Sequence, residues 1–128
     1  MEIGHKNSIT LTVTEELTAK HVGSGTLAVY ATPAMIALME KTASESVERE
    51  LGEGNTSVGT KMVAEHLSAT PIGMEVTCVS ELVEVDVRRL VFKIEVYDEV
   101  GPVGRAEHER FVVNAERFTA KTYGKIKK

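Results

Sequence analysis

The chain offers little support for a disulfide framework, a membrane span or a nucleic-acid-binding surface. Its single cysteine, Cys78, cannot form an internal disulfide and lies in a strand-like run, where a small buried thiol is expected. The net charge of -4 and the isoelectric point near 5.6 leave no surplus of Lys and Arg for phosphate contacts. No apolar run approaches the roughly 20 residues of a membrane helix, and residues 1–7 lack an apolar signal segment. We therefore expect a soluble, cytoplasmic protein without nucleic-acid or membrane partners.

Motifs for metals, nucleotides and nucleophilic serines are absent as well. The four histidines are not at zinc-ligand spacing, and one cysteine adds nothing to a metal site. The chain has no glycine-rich phosphate loop and no G-x-S-x-G elbow, so nucleotide hydrolysis and α/β-hydrolase chemistry lack sequence support. The sequence therefore predicts no metal site.

The chain has the length of one domain and shows no internal boundary. Its 128 residues include no low-complexity segment, no Pro/Gly/Ser linker and no repeat. We predict a single domain over residues 1–128. Residues 119–128 carry four lysines and are expected to form a solvated, frayed basic tail, with a contact to a phosphate-bearing ligand as the alternative.

Hydrophobic periodicity predicts one strand, one long helix and four further strands. Residues 8–14 alternate apolar side chains with polar ones, as a half-buried strand does. Thr32-Pro33 suits a helix start and Gly52 suits a helix end, which predicts a helix over about residues 33–51. Short connections predict an antiparallel meander of the last four strands, covered by the helix, and hence an α+β fold. Those strands are predicted at residues 57–67, 73–86, 90–98 and 104–114.

One carboxylate, that of Glu40, falls on the apolar face of the predicted helix. At about 100° per residue it shares a stripe with Val47 and Leu51. Burying an unpaired carboxylate costs several kcal/mol, so Glu40 is expected to have a partner or a use. The alternative is that the helix rolls and lets the side chain reach solvent.

His66 and Thr32 are the other candidate site residues. In residues 57–67 the even positions are largely apolar, and His66 points with them. A histidine can shuttle a proton near neutral pH, and Glu40 is the candidate carboxylate that would fix its tautomer. A satisfied structural histidine is the alternative. Thr32 suits a helix N-cap, but a hydroxyl there can also hold a water or a developing oxyanion.

Three segments together resemble the fluoroacetyl-CoA thioesterase-like branch of hotdog-fold proteins. They are YATPAMIALME at residues 30–40, GEGNTSVGT at 52–60 and HLSATPIG at 66–73, joined by His108-Glu109-Arg110 in the last strand. The likeness runs from about residue 26 to the end of the chain. It implies a hotdog fold, in which a curved antiparallel sheet of five to six strands wraps a long central helix. Two protomers would join their sheets.

The same likeness implies hydrolysis of a short acyl-CoA at the dimer interface, with coenzyme A as part of the substrate and no cofactor. Thr32, Glu40 and His66 become the catalytic trio. Glu40 and His66 would be nucleophile or base and acid partners, and Thr32 would position the attack. The Gly59 N–H is expected to bind the thioester oxygen, and Arg110 to be a pocket or ligand contact. A homodimer or a higher oligomer is the expected assembly.

The chain departs from the fluoroacetate-specific enzyme just before Thr32. Residues 21–30 are short and contain no Phe, where that enzyme has a longer Phe-bearing lid, and Pro33 takes the place of a glycine. This favours broader activity on short or medium acyl-CoA thioesters. A non-catalytic acyl-CoA or acyl-carrier binding module is the main alternative. An enoyl-thioester hydratase is less favoured, because the Asp-x-x-x-x-His loop of that class is missing ahead of the helix.

Overall fold

The structure is a computed structural model that describes residues 1–126 and contains one antiparallel sheet and one long helix. The strands are β1 (Lys6–Thr12), β2 (Asn55–His66), β3 (Glu75–Asp86), β4 (Arg89–Asp98) and β5 (Pro102–Asn114). The helices are α1 (Ala19–Val22), α2 (Thr32–Val47) and α3 (Ala115–Tyr123), with 3-10 turns at Glu15–Leu17 and Glu48–Glu50. The predicted α+β class is confirmed.

Helix α2 packs its apolar stripe onto one face of the sheet. It meets inward side chains of β3 and β4, including Cys78, Phe92 and Ile94, which are fully buried. The α-helix ends before the predicted Leu51, because the chain tightens into a 3-10 turn and Gly52 then adopts a φ of 94°. The buried residues of α2 recur every three or four positions, as an amphipathic helix requires: Met35, Leu38, Met39, Thr42, Ala43 and Val47.

Strand β2 lies beside β5 at one edge of the sheet, in the order β1-β3-β4-β5-β2. The predicted four-strand meander is therefore wrong for β2, although β3, β4 and β5 do form one. Residues 67–74 connect β2 to β3 past the start of α2, where the Tyr30 N–H donates to Thr70 O at 2.9 Å. Eight residues can span about 26 Å, more than the roughly 14 Å across three strand spacings. The connection is thus long enough to bypass two strands.

A β-bulge at Thr60 divides β2 into two segments. Gly59 and Lys61 pair with consecutive residues of β5, so Thr60 has no place of its own in the register. The extra residue shifts the alternation upstream, and Ser57 is buried while Val58 is only partly covered. The predicted even-numbered face is therefore wrong before the bulge. Beyond it the partly buried positions follow the prediction: Met62, Ala64 and His66.

Helix α3 follows β5 directly. The side chain of Asn114 caps it by accepting from the Arg117 N–H at 2.9 Å, and none of its residues is buried. It overlaps the predicted tail of residues 119–128, of which Lys127 and Lys128 lie outside the described residues. Within residues 1–126, none of the helices is long and apolar enough to cross a bilayer.

Candidate active site

Thr32 and His66 meet where the start of α2 approaches the end of β2. Thr32 Oγ1 lies 2.7 Å from His66 Nδ1, a hydrogen-bond distance. The N-cap of α2 is Ala31, which makes no side-chain capping bond, and Thr32 is the first helical residue. The N-cap interpretation of Thr32 is therefore wrong, because its hydroxyl contacts the histidine across the helix–sheet junction.

A cavity of about 370 Å³ lies beside this pair. Its wall includes Tyr30, Thr32 and His66, together with parts of α1 and of residues 67–69. The Tyr30 ring stands edge-on to the His66 ring, with centroids 6.3 Å apart. A space of this size beside a polar pair lies in the range of small-molecule sites.

The surroundings of His66 favour the neutral form of its imidazole. Burial lowers its pKa, which the nearby Ser68 backbone only partly offsets. Its buried Nε2 has no hydrogen-bond partner among residues 1–126. Since buried polar atoms are normally paired, this nitrogen is available to a group that the protomer does not supply.

Glu40 lies at the other end of β2, against Gly59. A Cβ built on Gly59 would lie 2.6 Å from Glu40 Oε2, so the carboxylate rests where a side chain would otherwise be. The half-buried Glu40 thus faces the sheet, and the alternative of a helix rolled toward solvent is wrong. The same Cβ would also lie 3.2 Å from His108 Cε1 and 3.3 Å from Arg110 Nη1. Glu40, His108 and Arg110 therefore converge on Gly59.

Arg110 is fixed by hydrogen bonds to β2. Its Nε donates to Ser57 Oγ at 2.8 Å and its Nη2 to Ser57 O at 2.9 Å. Burial lowers the pKa of the guanidinium, while the carboxylates of Glu40 and Glu48 act in the opposite direction. Sequence reasoning gives Arg110 no partner and assigns His108 and Ser57 no role. The signal is available in β5, where a histidine and an arginine two residues apart share the inward face.

The structure does not bring Glu40 and His66 together within one protomer. Thr32 and Glu40 are eight residues apart on α2, which is about 12 Å along the axis. Gly59 and His66 are seven residues apart on β2, or roughly 20 Å. The predicted direct Glu40–His66 contact is therefore wrong for a single chain. In the described part of the chain, no group of three or more His, Cys, Asp or Glu side chains could hold a metal ion.

One antiparallel sheet packed against one long helix is the architecture of hotdog-fold thioesterases, and this chain superposes on solved members of that class. The family described as fluoroacetyl-CoA-specific thioesterase matches residues 13–116. The fluoroacetyl-CoA thioesterase of Streptantibioticus cattleyicolor is 39% identical over 93 residues, which cover 73% of this chain and 67% of that protein. The chain belongs to this family and is an acyl-CoA thioesterase.

Solved structures agree with this assignment. One structure of the fluoroacetyl-CoA thioesterase FlK superposes with a TM-score of 0.94 at 32% identity, covering 99% of this chain and 98% of that one. A thioesterase-superfamily protein from Thermus thermophilus superposes with a TM-score of 0.87 at 26% identity over 94% and 90% of the two chains. A hot-dog-like protein from Thermanaerovibrio acidaminovorans, at 24% identity and a TM-score of 0.92 over 100% and 95%, shares the fold.

Proposed function

We propose that this protein hydrolyses short or medium acyl-CoA thioesters at sites that two protomers build together. The observation that carries the proposal is the division of the site residues between the two ends of β2. Thr32 and His66 lie at its C-terminal end, and Glu40 lies against Gly59 near its N-terminal end. A complete trio then requires a second copy of the chain.

The open edge of the sheet supports this assembly. β2 is twelve residues long, and among the described residues it pairs only with β5. Val63 on this strand is 58% exposed and Leu67 just beyond it is 49% exposed. Long exposed edges of this kind attract another strand, and most oligomers are symmetric dimers. Antiparallel pairing of two β2 strands, centred on Val63, would keep inward-facing residues opposite one another. Because the bulge at Thr60 takes up one residue, this register would place Gly59 opposite the partner's His66.

In the proposed site, His66 moves the proton. In this proposal Thr32 Oγ1 accepts a hydrogen bond from the Nδ1–H of His66, which leaves Nε2 free to take a proton from the attacking water. The water oxygen bonds to the thioester carbon, the carbon–sulfur bond breaks, and the proton passes from His66 to the coenzyme A sulfur. A resting imidazole kept neutral by burial suits this role.

Glu40 and its neighbours from the other protomer would complete the chemistry. The carboxylate orients the water and stabilises the imidazolium that forms. The Gly59 N–H and the Arg110 guanidinium would lie near the thioester oxygen as negative charge develops on it. Three of the five N–H groups of the Arg110 guanidinium are hydrogen-bonded to Ser57 and His108, which leaves two for the substrate.

The acyl group is proposed to be short or medium in length, without selectivity for fluorine. Mutants of FlK have been solved with fluoroacetate, with fluoroacetate and coenzyme A, and with acetyl-CoA. Here residues 21–30 contain no Phe, and the cavity of about 370 Å³ beside His66 has room for a small chain. We further propose that residues 1–128 act as one domain in the cytoplasm, with coenzyme A as part of the substrate and no separate cofactor.

Thiol release from acetyl-, fluoroacetyl-, butyryl-, hexanoyl- and phenylacetyl-CoA tests the activity. Wild type is expected to release thiol from several of these, and His66→Ala to lose most of that release while remaining folded by circular dichroism. His5→Ala, which changes an exposed histidine away from the site, is the matched control. If folded wild type releases no thiol while an acyl-CoA raises its melting temperature, the binding module replaces the thioesterase.

Complementation tests the shared site. His66→Ala and Glu40→Gln are co-expressed with different tags, so that mixed dimers form. Each mixed dimer keeps one site with both changed positions intact, and random pairing therefore restores roughly a quarter of wild-type activity. A mixture as inactive as either variant alone, with mixed dimers present by affinity capture, would place the whole trio within one protomer.

A further inference from the structure

His108 is a fully buried histidine that the proposed chemistry does not use. It lies in β5 with no exposed surface, and its ring packs near Phe92 with centroids 6.3 Å apart. Its Nδ1 lies 2.8 Å from the Lys61 carbonyl oxygen. Its Nε2 lies 3.1 Å from Arg110 Nη1. Both ring nitrogens are therefore engaged, and each has a different partner.

Those partners fix the tautomer. A guanidinium donates hydrogen bonds and accepts none, so His108 Nε2 must be the acceptor from Arg110. The ring proton then resides on Nδ1 and is donated to Lys61 O. A doubly protonated ring would set an N–H against the N–H of Arg110. Burial lowers the pKa of His108, and the Arg110 charge adds to this, in agreement with a neutral ring.

The contact with His108 acts on one particular end of Arg110. Ser57 holds Nε and Nη2, whereas His108 holds Nη1. Nη1 is the guanidinium nitrogen nearest to the Cβ position of Gly59, at 3.3 Å, and Glu40 Oε2 lies 2.6 Å from the same point. Among residues 1–126, Arg110 and Glu40 do not form a salt bridge.

We propose that His108 is a positioning residue of this active site: its neutral ring anchors Nη1 of Arg110 and keeps the guanidinium beside Gly59 without closing onto Glu40. The inference rests on the proposed function. Without an acceptor at Nε2, a buried N–H of Arg110 is left unpaired and is drawn toward the Glu40 carboxylate. The guanidinium would then occupy the space at Gly59 and form an ion pair with the Glu40 carboxylate.

Two substitutions separate the two ring contacts. The side-chain amide of His108→Gln can place an acceptor near the position of Nε2, whereas that of His108→Asn reaches only the position of Nδ1 and can donate to Lys61 O. We expect His108→Asn to lower kcat on the order of 100-fold, as misplaced groups in active sites do. His108→Gln should retain at least about tenfold more activity than His108→Asn, because it still supplies an acceptor. Equal losses in both variants, or losses that follow the melting temperatures, would overturn the proposal.

A core variant away from Arg110 separates a loss of stability from a loss of positioning. Ile94→Val removes one buried methyl group from the neighbouring strand, at a fully buried position with no polar contact to Arg110. Its kcat is expected to stay within about twofold of wild type even if its melting temperature falls as far as that of His108→Asn. A second check combines His108→Asn with Arg110→Lys: if His108 acts through Arg110, the His108 change has little further effect once the guanidinium has been replaced.

Nitrogen NMR of the histidine rings tests the geometry without any enzymatic activity. The spectrum of wild type is expected to show His108 protonated at Nδ1 and unprotonated at Nε2. A proton on Nε2 would overturn the proposal even if the enzyme is fully active. If instead wild type hydrolyses no thioester but His108 has the expected tautomer, the proposed function fails while the His108–Arg110 anchor stands.

Discussion

Gly59 matters because of the side chain that it lacks. Three side chains approach the position that its Cβ would occupy, and one of them is the Glu40 carboxylate. The φ of Gly59 is not in the left-handed region, so the requirement for glycine here is one of space and not of backbone conformation. The residue at position 59 therefore controls where the carboxylate can lie.

Gly59→Ala is expected to reduce thioester hydrolysis on the order of 100-fold, because the added methyl group displaces Glu40. Its melting temperature is also expected to fall, because the new Cβ would lie 2.6 Å from Glu40 Oε2 and 3.2 Å from His108 Cε1, so activity is compared where circular dichroism shows the variant folded. The measurement is kcat by thiol release. Gly101→Ala serves as the control, because a Cβ there meets nothing within 4 Å. If Gly59→Ala is as active as wild type, Glu40 does not take part in the hydrolysis.

Thr32 offers a second test at the same scale. Thr32→Val keeps the shape of the side chain but removes the oxygen that lies 2.7 Å from His66 Nδ1, whereas Thr32→Ser keeps the oxygen. We expect kcat to fall about tenfold or more for Val and to be largely retained for Ser. The pH profiles of both variants should be measured as well. Equal rates for Val and Ser would show that the hydroxyl does not hold the histidine.

At the scale of elements, local patterns predict strands well and contacts between elements poorly. β4 is predicted at residues 90–98 and observed at Arg89–Asp98, because its buried residues alternate without interruption. Helix α3 is missed because the lysines of residues 119–128 favour a solvated tail, and because none of the helix residues is buried against the rest of the protein. The pairing of β2 with β5 depends on long-range contacts that no local pattern records.

The candidate site shows the same limit. Thr32, Glu40 and His66 can be named from the sequence because each departs from a local pattern or matches a family segment. Their division between the two ends of β2 cannot be predicted from the sequence, because it depends on how α2 lies across the sheet. The role of Ser57 is hidden by the bulge at Thr60, which shifts the inward face by one residue.

Gly104 in β5 sets the distance between α2 and the sheet near His66. A Cβ at this position would lie 2.5 Å from Met35 Sδ and 3.1 Å from Glu65 O. Gly104→Ala is therefore expected to destabilise the fold by about 1–3 kcal/mol, as overpacking does. Chemical denaturation measures this. The double variant with Met35→Ala should regain part of the lost free energy of unfolding. If it regains none, the two residues do not compete for this space.

At the scale of the whole molecule, two histidines whose pKa is lowered by burial make stability depend on pH. The pKa of His108 and that of His66 both lie below the ordinary value of 6.5 in the folded protein, chiefly because of burial. As the pH falls below about 6.5, the unfolded chain therefore binds protons before the folded one. The stabilisation is complete above that pH and is lost progressively below it.

The melting temperature is accordingly expected to fall as the pH is lowered from neutral toward 5. His108→Gln should make the melting temperature depend less steeply on pH. The variant lacks one of the groups that take up a proton on unfolding, so its slope should be shallower even if its melting temperature at neutral pH is lower. Calorimetry across this range measures both slopes. Parallel slopes for wild type and variant would show that His108 does not contribute to the pH dependence.

Helix α2 presents Thr32 in its first turn and Glu40 in its third. In the proposed dimer, these two residues of one helix belong to different sites. Each α2 helix would then contribute one residue to each of the two active sites. A movement of the helix on substrate binding at one site would therefore change the position of a catalytic side chain at the other. Occupancy of the two centres would be correlated, and the dependence of rate on acyl-CoA concentration would report the sign of that correlation.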